Sequence, residues 1–297
     1  MEDWDFKVRR IEAEEDMEPS DLIAKYLVRF ELDKAPLMET LLIKAVKGQQ
    51  ILVFHFHHIV SDGISMNLFV QEFGSLYAGK TLEPLKHQYK DFVKWEADYM
   101  ESDKLKEDEQ FWLDRLSNTP RITAMPYDYV VPEEPAFTSN SICEVVSEDT
   151  LKKLKALAVD NKVTLYMILL SILDVLLHKT TRETDIALFT PTASRFDGGF
   201  EECIGMFTNT VVLNNELDPE ETFEELVQKV KDNFLQSYSH FNYPYNDLIR
   251  KLNIIGQNAF NVGFVYENVN GRSSDLTGLD LKEVDFIPTT QETDITF

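Results

Sequence analysis

Cysteine is scarce in this chain of 297 residues. Its two cysteines, Cys143 and Cys203, lie far apart and form no CxxC or Cys/His pair. The sequence therefore argues against a disulfide framework and against a cysteine-rich zinc site, and it predicts a cytoplasmic location, where thiols stay reduced.

Positive charge is also scarce. The chain has 29 basic and 52 acidic residues, a formal net charge of −23. No basic stripe is present that could neutralise phosphates, so nucleic acid and an anionic membrane surface are both disfavoured as partners. The hydrophobic content of 43% is typical of a globular protein rather than a disordered one.

Long hydrophobic runs are missing as well. The most apolar stretch, Leu165–Leu177, is 13 residues long and contains Asp174, whereas a membrane-spanning helix needs about 20 residues. This stretch predicts a helix buried in a protein core. The first ten residues have no apolar run behind their charges, which argues against a secretory signal. The absence of GxSxG, Walker and GxGxxG motifs argues against serine-hydrolase chemistry and against a bound nucleotide.

Apolar periodicity predicts strands and helices in both halves of the chain, as in a mixed α/β protein of two lobes. The N-terminal lobe is predicted at residues 1–119, a proline-rich linker at 120–136 and the C-terminal lobe at 137–297. Strands are predicted at Thr40–Val46, Gln50–Phe56, Ser141–Val146, Asp185–Thr190, Thr208–Leu213, Ala259–Tyr266 and Leu279–Phe286. Helices are predicted after an N-cap at Ser65 and at Gln88–Met100, Glu107–Leu116, Glu148–Val159, Thr164–His178, Glu221–Ser237 and Tyr245–Leu252.

Three of the six histidines cluster where a predicted strand ends: His55, His57 and His58. A turn of Ser61, Asp62 and Gly63 follows, and such strand-to-loop junctions commonly carry function. Side chains alternate along a strand, so only one of the adjacent histidines is expected to face a working cavity. The same alternation, together with the lack of an HExxH spacing, argues against a metal site.

The segment His57–Gly63 resembles the HHxxxDG motif of condensation domains from nonribosomal peptide synthetases, which are related to chloramphenicol acetyltransferase. Further segments resemble this family in the same order: Phe30–Leu37, Tyr89–Trp95, Phe111–Leu113, Ile204–Thr210, Tyr243–Leu248 and Asn258–Phe264. Three positions depart from the family pattern. Glu39 replaces an arginine, Phe92 a tyrosine and Thr208 a valine.

This resemblance implies the two-lobed, chloramphenicol acetyltransferase-like α/β fold with mixed sheets. It also implies that the chain is incomplete at both ends. The family's first strand and early helix have no counterpart before Met1, and Thr293–Phe297 resembles a strand that precedes a long C-terminal portion in the family.

The resemblance further implies amide bond formation between an acyl or peptidyl thioester and an aminoacyl acceptor in a tunnel between the lobes. His58 is the implied catalytic residue, since an imidazole can accept a proton or hold the amine. Asp62 is expected to be structural and paired with Arg195, with an ordinary surface arginine as the alternative reading of Arg195. His57 is expected to lie behind the site. Gly63 is expected to permit close approach of substrate or a positive φ, with ordinary turn chemistry as the alternative. Asn209 either orders a loop around the tunnel or is a satisfied polar residue at a strand start.

No directly bound cofactor or metal is implied. The substrates would be tethered to the 4'-phosphopantetheine of donor and acceptor peptidyl carrier proteins, with adenylation and carrier domains as further partners. A non-catalytic docking module of the same fold remains an alternative. An epimerization-type relative is a weaker one, because Ile64–Met66 lacks the expected tryptophan and no EGHGR-like segment occurs. Heterocyclization is disfavoured because that subtype replaces the paired histidines with aspartates.

Overall fold

A computed structural model describes residues 6–119, 122–129, 138–195, 199–254, 259–267, 282, 284 and 293–297. The chain divides into two compact units. Unit 1 consists of the described residues within Met1–Phe92, Gly198–Phe207 and Asn270–Ile287. Unit 2 consists of those within Val93–Asp197, Thr208–Val269 and Pro288–Phe297.

Unit 1 contains a three-stranded sheet in the order β1-β2-β3. Strand β1 (Val8–Glu12) is parallel to β2 (Met38–Lys44), and β2 is antiparallel to β3 (Gln50–Phe56). The predicted hairpin is thus confirmed, and Gly48 takes a φ of +86° in its turn, a conformation that suits glycine. Strand β1 was not predicted, because its acidic surroundings carry no apolar period.

The two faces of this sheet pack against different helices. Helix α1 (Pro19–Tyr26) lies on one face, where Leu22 packs with Leu41 and Ile43 of β2. Helix α2 (Gly63–Tyr77) lies on the other face, where Phe69 meets Phe54 edge-on at 4.9 Å. Aromatic and branched side chains therefore hold the strand that leads into the histidine cluster from both sides.

Unit 2 is built around the apolar helix α6 (Leu165–Thr181). It packs with α5 (Glu148–Asp160), α7 (Phe223–Tyr238) and a four-stranded sheet. The strand order is β5-β4-β6-β7, with β4 at Asp185–Ala193, β5 at Thr208–Glu216, β6 at Val262–Gly263 and β7 at Ile295–Thr296. The buried helix predicted from Leu165–Leu177 is confirmed. Its core partners include Ile186, Leu188, Leu213, Leu226 and Val230.

A second apolar cluster involves helices α4 (Asp103–Leu116) and α8 (Tyr245–Lys251). Trp112 and Leu116 of α4 are buried there together with Leu248 of α8. The remaining helix, α3 (Tyr89–Met100), spans the boundary between the two units in sequence.

One predicted strand was wrong, and one was too long. Ser141–Val146 forms neither strand nor helix, with Ile142 93% and Val145 92% exposed. Its branched residues favour a strand, but no partner strand pairs with it in the described part of the chain. The strand predicted at Ala259–Tyr266 is only Val262–Gly263.

Other predictions fall partly or wholly outside the described residues. The predicted strand at Leu279–Phe286 has only residues 282 and 284 described. Of the predicted linker, residues 122–129 are described and contain neither helix nor strand. The linker and the lobe boundaries beside it stay predictions.

Among the described residues, no single helix has the length and apolar content needed to cross a membrane. Helices α5 and α6 reach that length and composition only as a pair, and the pair bends by 103° at the break between them.

Candidate active site

The two adjacent histidines lie just beyond strand β3, in a short turn. Strand β3 ends at Phe56, and a 3-10 turn runs over His58–Val60. His57 precedes this turn in an extended conformation (φ −73°, ψ 136°), and its Nδ1 accepts a hydrogen bond from the backbone N–H of Ile59 at 3.1 Å. Strand β3 thus ends before either histidine, so the alternation of side chains along a strand does not orient His57 and His58. A capping bond orients His57 instead.

His58 is exposed at the start of this turn. Its neighbours Ile59 and Val60 are exposed as well, so the surface beside the ring is apolar. Across the residues that the structure describes, the imidazole makes no side-chain hydrogen bond. An exposed imidazole can accept a proton or hold an amine near neutral pH.

Asp62 is only 3% exposed and caps helix α2. Its Oδ1 accepts the backbone N–H of Ser65 at 2.8 Å, and its Oδ2 accepts the backbone N–H of Phe207 at 3.1 Å. The prediction that Ser65 caps this helix was wrong, because the acid two residues after the histidine turn already takes that place. Asp62 therefore ties the start of α2 to a distant segment of unit 1.

Ser65 anchors the same distant segment. Its hydroxyl donates to the carbonyl of Gly205 at 2.8 Å and lies 3.0 Å from the Gly205 N–H. The Tyr89 hydroxyl donates to the carbonyl of Met206 at 2.9 Å. An added Cβ at Gly205 would lie 2.1 Å from Cδ2 of Tyr89, so only glycine fits there. Two of the segments that resembled the family thus meet in unit 1.

Gly63 begins helix α2 and is exposed. It does not have a positive φ, and a Cβ built on it would find no atom within 4 Å. The part of the prediction that invoked a positive φ was therefore wrong. Close approach of a substrate to this residue stays a prediction.

Asn209 lies near the start of strand β5 in unit 2. Its Nδ2 donates to the carbonyls of Phe241 at 2.8 Å and Tyr243 at 2.7 Å. Its Oδ1 accepts the N–H of Tyr245 at 3.3 Å. The amide is thus fully used in holding the loop between α7 and α8, and it is also a satisfied polar group at a strand start.

Arg195 is 0% exposed and lies in the turn after strand β4, in unit 2, so the alternative of an ordinary surface arginine was wrong. A guanidinium taken out of water needs charged or polar partners. The predicted pairing with Asp62 would join residues of different units, and it stays a prediction.

Sequence reasoning missed a polar network around Asp108 of α4. The Tyr99 hydroxyl donates to Asp108 Oδ2 at 2.7 Å, while Asp108 Oδ1 lies 2.6 Å from His240 Nδ1 and 2.8 Å from Lys104 Nζ. Burial and the Asp108 carboxylate hold the pKa of Tyr99 above its usual value. One signal was available: Asp108 sits three to four residues from apolar Leu105, Phe111 and Trp112, so an acid lies on the buried face of a helix.

No group of three or more His, Cys, Asp or Glu residues that could hold a metal ion occurs in the described ranges. The histidine cluster itself is divided between different partners. The ring of His55 is 3.1 Å from Glu39 Oε1, His57 caps the turn, and His58 is exposed.

Comparison with known proteins links this geometry to one family. The family profile described as "Condensation domain" matches residues 2–296. Bacitracin synthase 1 from Bacillus licheniformis is 34% identical over 278 residues, which are 92% of this chain and 5% of that protein. Tyrocidine synthase 3 from Brevibacillus parabrevis is 36% identical over 267 residues, 89% of this chain and 4% of that protein. Surfactin synthase subunit 1 from Bacillus subtilis is 30% identical over 299 residues, 99% of this chain and 8% of that protein.

Solved structures show the same fold. The X-domain from teicoplanin biosynthesis superposes with a TM-score of 0.81 at 20% identity, covering 98% of this chain and 68% of that one. The first condensation domain of the calcium-dependent antibiotic synthetase gives a TM-score of 0.70 at 19% identity, covering 87% of this chain and 58% of that one. The α/β fold class predicted from the sequence is confirmed.

Proposed function

The chain belongs to the condensation domain family, and from that premise we propose that it forms amide bonds in nonribosomal peptide synthesis. The donor is an acyl or peptidyl thioester, and the acceptor is the amine of an aminoacyl thioester. The observation that carries this proposal is His58, an exposed imidazole on a turn that follows directly from a buried strand. Within HHxxxDG, His58 lies between two capping residues, His57 and Asp62. Their hydrogen bonds hold the backbone that carries the His58 ring.

The bond changes define what His58 has to do. The acceptor nitrogen attacks the thioester carbonyl carbon, a C–N bond forms, and the C–S bond breaks. The nitrogen loses a proton, and the departing sulfur gains one. An imidazole can take that proton and later return it to sulfur, or it can hold the amine by a hydrogen bond while the proton moves directly. No covalent enzyme intermediate is needed.

Proximity would supply a larger share of the rate than the histidine. Holding two tethered reactants together is worth up to about 7–11 kcal/mol, whereas a general base typically contributes about 10²–10⁴-fold in rate. Loss of the imidazole should therefore slow the reaction strongly without abolishing substrate binding.

The partners follow from the same proposal. Both substrates would arrive on the phosphopantetheine arms of donor and acceptor peptidyl carrier proteins, with adenylation and carrier domains as neighbours in the cytoplasm. A four-domain nonribosomal peptide synthetase contains a region of this fold, with a TM-score of 0.77 at 24% identity over 89% of this chain. That likeness supports a multidomain setting.

A second candidate function is a non-catalytic binding module. The X-domain of teicoplanin biosynthesis, solved as a complex with OxyB, superposes with a TM-score of 0.80 over 98% of this chain. That resemblance in fold favours the docking alternative, whereas the intact His57–His58 pair and Asp62 favour catalysis.

The experiment uses donor and acceptor carrier proteins loaded with thioesters, and it measures the condensed product by mass spectrometry. Wild type, His58→Ala and His178→Ala are compared, the last being the same change at a histidine that bonds the Glu183 carbonyl in unit 2. Catalysis predicts a loss of about 10²–10⁴-fold for His58→Ala only. Equal product from all three would contradict the role of His58. Carrier binding without product from wild type would favour the docking module.

A further inference from the structure

A charged cluster lies on the face of the unit 1 sheet that α1 covers. Glu39 of β2 stands opposite His55 of β3 in the strand register. Its Oε1 accepts the backbone N–H of Val28 at 3.2 Å and lies 3.1 Å from His55 Nδ1. Its Oε2 lies 3.2 Å from Nη2 of Arg9. The Glu39 side chain is only 16% exposed, so the carboxylate is held largely by these partners.

This one carboxylate fixes both members of a ring pair. The hydrogen bond from the Val28 N–H to Glu39 holds the backbone two residues before Phe30. The contact between Glu39 and His55 Nδ1 orients the His55 ring. The Phe30 ring packs against the His55 ring in a tilted arrangement, with centroids 4.6 Å apart and an interplanar angle of 38°. The same phenyl ring meets the ring of His57 edge-on, at 6.1 Å and 79°.

The ring of His57 has to keep one orientation. Its Nδ1 accepts the Ile59 N–H at 3.1 Å, so this nitrogen faces the backbone donor. A half-turn of the ring would bring a carbon atom to that position and leave the Ile59 donor without its acceptor. Because Ile59 belongs to the turn that starts at His58, the bond from Ile59 to the His57 ring helps to hold the His58 backbone, together with the backbone bonds of the turn itself.

We propose that Glu39 is a positioning residue for His58. It acts through a chain of three rings, those of His55, Phe30 and His57. The catalytic consequence rests on the proposed function, whereas the structural step, from Glu39 to the Ile59 hydrogen bond, does not. Glu39 stands where the similar segment of the family has an arginine, so this role does not come from the family motif.

Amide hydrogen exchange at Ile59 tests the structural step directly. Glu39→Ala is compared with Glu12→Ala. The control removes the ion pair of Glu12 with Lys44 (3.6 Å), which joins strands β1 and β2. We expect exchange at Ile59 to be about fivefold faster in Glu39→Ala and unchanged in Glu12→Ala. The amide of Leu41, in the middle of β2, reports whether the sheet is still folded.

Two further variants separate positioning from general destabilisation. Glu39→Gln keeps the acceptor for Val28 and His55 but loses the ion pair with Arg9, which is worth little at a partly exposed site, so near wild-type exchange is expected. Phe30→Leu keeps apolar packing but removes the ring edge from His57, so exchange at Ile59 should rise. This variant replaces Glu39→Ala if the latter does not fold.

Kinetics completes the test. We expect kcat to fall about tenfold in Glu39→Ala with KM unchanged, and Glu39→Gln to restore it. Equal Ile59 exchange in Glu39→Ala and Glu12→Ala would overturn the proposal, as would unchanged exchange in Phe30→Leu. If wild type forms no amide product at all, the proposed function fails, while the exchange data still decide the positioning role.

Discussion

At the scale of single residues, the Asp62 side chain has the main structural role in the HHxxxDG motif. Its two oxygens accept the N–H groups of Ser65 and Phe207, at 2.8 and 3.1 Å, in a buried place. Its position in HHxxxDG was evident from the sequence, but its partners were not, because Phe207 lies 145 residues away and only the fold brings it close.

Asp62→Asn tests this double role. Whichever way the amide turns, its NH₂ group faces one of the two backbone donors, and that donor loses its acceptor. We expect a loss of about 1–3 kcal/mol in the free energy of unfolding, measured by urea denaturation. Asp62→Ala should lose about 1 kcal/mol more, because it also removes the helix cap. Wild-type stability in Asp62→Asn would contradict the account.

Substitution of Gly63 is expected to affect stability and activity differently. An added methyl group meets nothing within 4 Å, so Gly63→Ala should keep or raise the free energy of unfolding, by up to about 1 kcal/mol. If substrate passes close to this residue, kcat/KM should nevertheless fall about tenfold.

The matched control is Gly79→Ala, at a glycine with a φ of +76°. There, strain should cost about 1–2 kcal/mol. Urea denaturation and condensation kinetics on the same preparations give both quantities. An unchanged kcat/KM in Gly63→Ala would mean that the glycine serves only turn chemistry.

At the scale of elements, prediction succeeded where a segment carries its own signal. Helices α5, α6 and α7 begin within two residues of the predicted starts, because Ser147, Thr164 and Thr222 cap them through side-chain oxygens and apolar periods follow. Ser141–Val146 failed because a strand depends on a partner, which its own sequence does not specify. Helix α1 was missed because only two of its residues, Leu22 and Ile23, are buried.

Helix α6 carries one buried acid, Asp174, in an otherwise apolar core. Asn215 donates to its Oδ2 at 2.8 Å, and burial raises the pKa of Asp174 to about 8. The folded protein therefore holds this proton at pH values where the unfolded chain, with a pKa of about 4, has released it. The stability that this proton contributes is present below about pH 4 and is lost as the pH rises towards 8.

Asp174→Asn should remove this dependence. We expect the free energy of unfolding of wild type, relative to the variant, to decline between pH 5 and 8, until the variant is more stable by about 1–3 kcal/mol. Urea denaturation at several pH values measures this, with Asp98→Asn, at an exposed acid, as the control. Parallel pH profiles for wild type and Asp174→Asn would contradict the raised pKa.

At the scale of the whole molecule, the dominant quantity is the net charge of −23. It was available from composition alone, and it disfavoured polyanions without identifying a partner. The two compact units are discontinuous in sequence, since Gly198–Phe207 belongs with the N-terminal segment. Periodicity could predict two lobes, but it could not assign this segment to unit 1. That assignment depends on hydrogen bonds from Ser65 to Gly205 and from Tyr89 to Met206.

The charge predicts how salt affects docking. A carrier protein of net negative charge is repelled by the summed field, so its association rate constant should rise as salt increases from about 0.02 to 0.3 M and the Debye length shortens. Stopped-flow fluorescence with a labelled carrier protein measures this. A rate constant that falls with salt would instead show that a local basic patch governs docking.

The catalytic role of His58 is tested by single-turnover condensation with wild type and His58→Ala, each saturated with donor and acceptor carrier proteins. Saturation removes differences in docking, so the observed rate constant reports the chemical step. We expect normal carrier affinity and a rate constant about 10²–10⁴-fold lower in His58→Ala. Equal rate constants in the two proteins would contradict this catalytic role.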